Sequence, residues 1–109
     1  MENKIKEAIE HVEREEYVTA IQKFSDLIAE NPCNPYLYNN LGAAYFRYGK
    51  YDQAIEAFNK AIEINPLLQE VYQNLADVYI AKGQIVDALI ILETGITVNP
   101  ENPGIIYHY

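Results

Sequence analysis

The side chains that could support nucleophilic or metal chemistry are few and far apart in the sequence. Ser25 is the single serine, and the two histidines, His11 and His108, lie near opposite ends of the chain. Because a serine nucleophile needs a histidine within hydrogen-bond reach, this spacing does not favour one. Cys33, the single cysteine, cannot form an internal disulfide or hold zinc alone, and we interpret it as a surface loop residue. The sequence also lacks a glycine-rich phosphate loop and metal-ligand spacing, so we predict a protein without catalytic activity or cofactor.

Composition and charge indicate a single small domain with a restricted choice of partners. The 109 residues include 16 Asp and Glu but only 8 Lys and Arg, which gives a net charge of −8. Nucleic acids and anionic lipids are bound largely through Lys and Arg, so we predict that neither is a partner. The longest apolar run, 88–92, is far too short to span a membrane, and the charged start does not resemble a signal peptide. A cytoplasmic protein is the simplest expectation.

The most informative feature is an internal repeat with a period of 34 residues. Asn-Pro pairs begin at Asn31, Asn65 and Asn99. Alanine recurs at the same interval, and a large apolar residue follows each alanine four positions later. These residues are Ala20, Ala54 and Ala88, followed by Phe24, Phe58 and Leu92. We therefore divide the chain into repeats 1–34, 35–68 and 69–102 and a partial repeat 103–109.

Each repeat contains two stretches of helical periodicity separated by a turn. In the second repeat, apolar residues recur at helical spacing over 37–48 and again over 54–64. Gly49 lies between the two stretches, where a left-handed conformation would end the first helix. The corresponding helices of the other repeats are predicted at 2–14, 17–30, 69–82 and 85–98. Three small residues are interpreted as points of close helix packing: Gly42, Ala54 and Ala61.

This pattern resembles the tetratricopeptide repeat (TPR) family, whose unit is a helix-turn-helix of 34 residues. The second repeat matches the family pattern best, at Tyr38, Leu41, Gly42, Tyr45, Gly49, Tyr51, Ala54, Phe58, Ala61 and Pro66. The resemblance covers residues 1–102. It implies a single all-α domain, 1–109, in which three helix pairs form a right-handed superhelix followed by a short stub of a fourth repeat. Members of the family mostly bind other proteins, so the resemblance also implies a protein-interaction module.

The resemblance further implies a concave groove lined by the first helix of each repeat. The residues placed there are Tyr36, Asn39, Asn40, Ala43, Phe46 and Arg47 from the second repeat, Glu70, Gln73, Asn74, Asp77 and Ile80 from the third, and Ile5, Lys6, Ile9, Val12 and Glu13 from the first. Side-chain amides both donate and accept hydrogen bonds, so the four amides of the second and third repeats would suit a peptide backbone. Alternatively, Asn40 and Asn74 only brace contacts between helices.

One subclass of the family, the co-chaperones that hold the terminal carboxylate of chaperone tails, uses basic residues and asparagines at fixed positions. Of those positions only Asn40 matches here. The others hold Ile5, Ile9, Glu70 and Asn74. A groove that contains Glu70 and Asp77 should repel an acidic tail. We therefore expect the partner to be a neutral, apolar or basic protein or peptide segment.

The last helix of the third repeat is unusually apolar. Val86 and Ile90 occupy the positions of Asp52 and Glu56 in the second repeat, which should face solvent. Because a contiguous exposed apolar patch usually marks an interface, we predict a self-association patch at this end of the chain. Its members are Val86, Ile90, Ile91, Ile105, Ile106 and Tyr109.

Several arrangements would account for this patch. A twofold homodimer would cover it, and a head-to-tail contact would instead build a filament. The chain would then be a self-assembling structural or scaffold unit, which is the alternative to a groove-binding module. The rest of a longer protein, in which the chain is an adaptor domain, would also cover the patch, and an uncovered end is the remaining alternative.

Overall fold

The computed structural model describes residues 2–98, which form six α-helices joined by short turns. Their bounds are α1, Glu2–Glu13; α2, Tyr17–Glu30; α3, Pro35–Arg47; α4, Tyr51–Ile64; α5, Gln69–Ala81; and α6, Ile85–Val98. The all-α prediction is confirmed, and the helices predicted at 17–30 and 85–98 have the same bounds in the structure. Those predicted at 2–14 and 69–82 each end one residue earlier. The partial repeat 103–109 lies outside the described residues.

Helices that follow one another in sequence pack against each other throughout the described chain. Because the turns between them are only three or four residues long, consecutive helices run antiparallel. The core consists of two clusters, one around Phe24 on α2 and one around Phe58 on α4, and both phenylalanines are fully buried. The first cluster joins α1 and α2 to α3, and the second joins α4 to α5. Contacts between repeats therefore contribute to the core together with contacts inside each repeat.

The turns inside the repeats depend on a left-handed backbone conformation. Gly49 and Gly83 have φ angles of 83° and 79°, which glycine adopts without steric cost. Glu15 occupies the equivalent position of the first repeat with a φ of 62°, although this conformation costs an L-residue roughly 1–2 kcal/mol. The first turn therefore keeps the geometry of the other two and stores some backbone strain.

Small residues allow the two helices of a repeat to approach closely. A Cβ atom added to Gly42 would lie 2.6 Å from Cε1 of Phe58, and one added to Gly95 would lie 3.0 Å from Cγ of Tyr72. The residues predicted to serve close packing are all buried: Gly42, Ala54 and Ala61. That interpretation is confirmed.

The first repeat has a polar outer face. Lys23 Nζ donates a hydrogen bond of 2.7 Å to Glu7 Oε1, and this hydrogen bond lowers the pKa of the Glu7 carboxyl group. His11 Nδ1 lies 2.9 Å from Glu16 Oε1. On the inward side of α1, Ala8 is fully buried. The helix therefore packs on the core with one side and presents charged groups on the other.

Replacing Gly42 by alanine should destabilise the fold by about 1–3 kcal/mol, because the added methyl group overlaps the Phe58 ring. In an unobstructed helix the same change would stabilise by up to about 1 kcal/mol. Urea unfolding followed by circular dichroism measures the free energy of unfolding. The double variant Gly42→Ala with Phe58→Leu should lose less than the sum of the two single variants. Additive losses would contradict a direct contact between the two residues.

Candidate partner-binding groove

The first helices of the three repeats form the inner side of the array. α1 contacts α3, and α3 contacts α5, whereas α2, α4 and α6 do not contact one another within residues 2–98. Helices that approach each other more closely lie on the inside of a curved stack, so α1, α3 and α5 line the concave side. We call this surface, which carries the predicted lining residues from Ile5 to Ile80, the groove.

Most of the side chains predicted to line the groove are accessible. Tyr36 and Ile80 are 52% and 49% exposed. Arg47 and Gln73 are also exposed. Five more of these residues are partly exposed: Asn40, Ala43, Phe46, Asn74 and Asp77. Asn39 and Val12 differ, since only 8% and 7% of their surfaces are exposed, and they offer little surface to a ligand.

Asn39 lies between two repeats and accepts a hydrogen bond from the third repeat. Nδ2 of Asn74 on α5 donates a hydrogen bond of 3.0 Å to Oδ1 of Asn39 on α3. A buried amide needs such a partner, since leaving one unpaired costs about 1–3 kcal/mol. Asn40, by contrast, makes no side-chain hydrogen bond within residues 2–98. Asn74 therefore braces two helices, whereas Asn40 forms no such bridge between the described helices.

Accessible apolar side chains in the groove come from all three repeats. Ile9 on α1 is 36% exposed and Ile80 on α5 is 49% exposed, and α3 contributes Ala43 and Phe46. The Phe46 ring packs against Tyr51 with 5.7 Å between ring centroids, which restricts its orientation. Each of the three groove helices thus contributes at least one accessible apolar side chain, and we call these four residues the apolar strip.

The third repeat gives its part of the groove a negative charge. Glu70 is exposed and Asp77 is partly exposed, and neither forms an ion pair with another described residue. Gln73 Nε2 donates a hydrogen bond of 3.0 Å to Asp77 Oδ1, which orients the carboxylate and leaves its charge in place. A ligand with Lys or Arg near these carboxylates would be attracted, and an acidic one would be repelled.

The residues with nucleophilic or acid–base potential are not brought together. His11 pairs with Glu16, Cys33 is exposed in the turn after α2, and Ser25 makes no side-chain hydrogen bond in the described part of the chain. His108 lies outside that part. No metal-binding cluster occurs between residues 2 and 98, and none of the helices there is long and apolar enough to cross a membrane.

α6 carries a second accessible apolar surface. Val86 is 70% exposed and Ile90 is 54% exposed. Ile91, assigned to the same patch from the sequence, is only partly exposed and packs against the second core cluster, so it belongs to the core and not to the exposed patch. The other predicted members of the patch lie outside the described residues: Ile105, Ile106 and Tyr109.

The sequence analysis did not assign three further exposed residues of α6 to this patch. They are Ile85, Leu89 and Ile96, at 53%, 55% and 45% exposure. Their equivalents in the second repeat are partly buried against the core: Tyr51, Ile55 and Ile62. The 34-residue alignment contains the signal for this exposure. The apolar residues of α4 are covered by α5, and the aligned apolar residues of α6 would need a further helix to cover them.

Two models of the tetratricopeptide repeat match the chain, one at residues 35–66 and the other at residues 57–90. Together they cover more than half of the 109 residues. The chain belongs to the TPR family. Its helix pairs are TPR units, and the close contact at Gly42 and the turn at Gly49 lie within the first matched segment. A search of curated proteins gives no match.

Solved structures share the TPR fold. A crystal structure of MamA is 29% identical, covers 83% of this chain and 53% of its own, and has a TM-score of 0.77. The MamA structure designated MSR-1 C2 is 23% identical and covers 86% of this chain and 54% of its own, with a TM-score of 0.76. The first TPR of Spaghetti (RPAP3), bound to the HSP90 peptide SRMEEVD, is 23% identical and covers 92% of this chain and 79% of its own, with a TM-score of 0.79. The present chain thus spans about half the length of these MamA chains.

Replacing Asn74 by alanine should destabilise the fold by about 1–3 kcal/mol, because the buried Oδ1 of Asn39 loses its donor. The matched control is Asn40→Ala, which removes an amide from the same surface. It should change the free energy of unfolding by less than about 0.5 kcal/mol. Urea unfolding measures the free energy of unfolding of both variants. Equal losses of this free energy would contradict the hydrogen bond between Asn74 and Asn39.

Proposed function

We propose that the chain is a non-catalytic protein-interaction module whose groove binds a segment of a partner protein. The observation that carries this proposal is the apolar strip across α1, α3 and α5, formed by Ile9, Ala43, Phe46 and Ile80. Accessible apolar side chains grouped on one surface are typical of interaction sites. The concave arrangement of the three helices would allow an extended segment to contact all three repeats at once.

A segment in the groove would meet apolar and polar groups with separate roles. Tyr36 and Phe46 would pack against its apolar side chains. Asn40 and Gln73, which are accessible, would form hydrogen bonds with its backbone. Asn39 and Asn74 would act indirectly, since their mutual hydrogen bond links α3 to α5 and so helps to maintain the width of the groove.

Charge would select among segments of similar shape. Glu70 and Asp77 have no ion-pair partner among residues 2–98, and the whole chain carries a net charge of −8. A basic or neutral segment would therefore associate faster and more tightly than an acidic one. The peptide bound to the first TPR of Spaghetti, SRMEEVD, contains two glutamates, an aspartate and a terminal carboxylate. Such a peptide suits this groove poorly.

The chain should therefore show no measurable binding of fluorescein-labelled SRMEEVD by fluorescence anisotropy. The double substitution Glu70→Lys with Asp77→Lys should raise the affinity for this peptide by at least about tenfold, since two repulsions become attractions. That gain should shrink as salt is added. Tight binding of the peptide by the unmodified chain would contradict the assigned role of these two carboxylates.

Peptides selected from a random phage-displayed library against the full chain should be rich in apolar residues and in Lys or Arg. The variant Ala43→Gln places a larger side chain in the apolar strip and should weaken binding of the selected peptides by about tenfold or more. The matched control is Ala29→Gln, which makes the same change at an exposed position of α2, and it should bind as the unmodified chain does. Peptides that bind both variants equally would place the binding surface outside the groove.

A second candidate function is a self-assembling structural unit with no ligand in the groove. The observation that favours it is the exposure of apolar side chains on α6, among them Val86 at 70% and Ile90 at 54%. The groove lies on α1, α3 and α5, so the two surfaces do not overlap. One molecule could use the first surface for a partner segment and the second for assembly, or, as an adaptor domain of a longer protein, for a following segment.

A further inference from the structure

The second helix of each repeat carries an apolar stripe, and two of the three stripes are covered by the following helix. On α2 the stripe is covered by α3 and consists of Tyr17, Ile21, Phe24 and Ile28. On α4 it is covered by α5 and consists of Tyr51, Ile55, Phe58 and Ile62. The central phenylalanines, Phe24 and Phe58, are fully buried, and the Phe58 ring also lies against Gly42 of its own repeat.

On α6 the equivalent residues are accessible. Ile85, Leu89 and Ile96 are 53%, 55% and 45% exposed, and Leu92, at the position of Phe58, is partly exposed. We call these four residues the α6 stripe. The stripe contains no charged side chain, and its spacing places all four residues on one side of the helix. None of the other described helices covers it.

The helices that cover the two internal stripes share a simple pattern. Each contributes three apolar residues at positions i, i+4 and i+7. These are Leu37, Leu41 and Ala44 on α3, and Val71, Leu75 and Val78 on α5. Each of the two helices also runs antiparallel to the helix that it covers. A helix that covers the α6 stripe should have the same pattern and the same direction.

α6 itself meets both requirements. Its stripe has the i, i+4, i+7 pattern at Ile85, Leu89 and Leu92. A twofold axis perpendicular to α6 places the helices of two copies antiparallel. Two α6 stripes can therefore pack against each other in the same antiparallel orientation as α3 on α2 and α5 on α4.

The opposite end of the described array does not offer a matching surface. The outer face of α1 presents Glu7, which accepts a hydrogen bond from Lys23 at 2.7 Å, and His11, which pairs with Glu16. A head-to-tail contact would bury these charged groups against apolar side chains, which is unfavourable without new polar partners. This excludes α1 as the helix that covers the α6 stripe.

We propose that the α6 stripes of two copies of this chain pack together in an antiparallel twofold dimer. Ile85 then contacts Ile96 of the partner subunit, and Leu89 contacts Leu92 of the partner subunit. Val86 and Ile90 lie outside this contact, because the helix turns them by about 100° and about 140° away from Ile85. The proposal defines the surface for the second candidate function and does not depend on the groove.

Light scattering of the full chain over a wide range of concentrations tests the proposal. The mass should rise from 12.5 kDa toward about 25 kDa, and added salt should strengthen the dimer, because each copy carries a net charge of −8.

Leu89→Asp should weaken the dimer by about a hundredfold or more. The matched control is Thr94→Asp, the same charge change at an exposed α6 position outside the stripe, and it should leave the dissociation constant within about threefold. Circular dichroism establishes that both variants fold.

Disulfide trapping tests the direction of the contact. In a Cys33→Ser background, a mixture of Ile85→Cys and Ile96→Cys chains should form the mixed disulfide in preference to either homodimer, because only an antiparallel pairing brings these two positions together. Preferential formation of Ile85→Cys homodimers would overturn the antiparallel arrangement.

A mass of 12.5 kDa at every concentration would overturn the proposal. If Leu89→Asp then also lowered the midpoint of thermal unfolding, the stripe would be covered within one chain. A mass that grew beyond the dimer, and that a polar substitution on α1 reduced, would identify a head-to-tail assembly and would likewise overturn the twofold contact.

Discussion

The structure depends on one requirement, that the apolar stripe on the second helix of each repeat be covered by another helix. Phe24 and Phe58 are fully buried, and α3 packs over the first stripe and α5 over the second. A single repeat cannot bury its own stripe, so stability in such arrays resides in contacts between neighbours. The accessible stripe on α6 follows from the same requirement, and so does the groove, since docking of α3 and α5 brings the first helices side by side.

The close packing of α1, α3 and α5 determines which side chains of the groove are accessible. The first helices approach each other closely enough for a side-chain hydrogen bond, the 3.0 Å contact between Asn74 and Asn39, to join two of them. This bond engages one polar group of each amide, Nδ2 of Asn74 and Oδ1 of Asn39, and Asn39 is buried, whereas Asn40 and Gln73 are accessible. Under the proposed function, the specificity of the groove would then depend mainly on the apolar strip and on the carboxylates of the third repeat.

The fold could be predicted from the sequence because a 34-residue period, turn glycines and small residues at helix contacts are local or periodic signals. Burial of Asn39 could not, because it depends on the distance between α3 and α5, which no single helix encodes. Ile91 was assigned to the exposed patch for a related reason: a helix that is apolar on most sides does not reveal which side meets the core. The α6 stripe was predictable in principle, since Leu89 aligns with Ile55, a residue that α5 covers.

Hydrogen exchange of backbone amides, measured by mass spectrometry on the full chain at low and high concentration, tests the covering requirement most directly. Amides of α2 and α4, whose stripes are covered, should exchange slowly and independently of concentration. Amides of α6 should exchange faster in dilute solution and become protected as the concentration rises. Fast exchange in α6 that does not respond to concentration, or protection equal to that of α4 at every dilution, would contradict a stripe that a second copy covers.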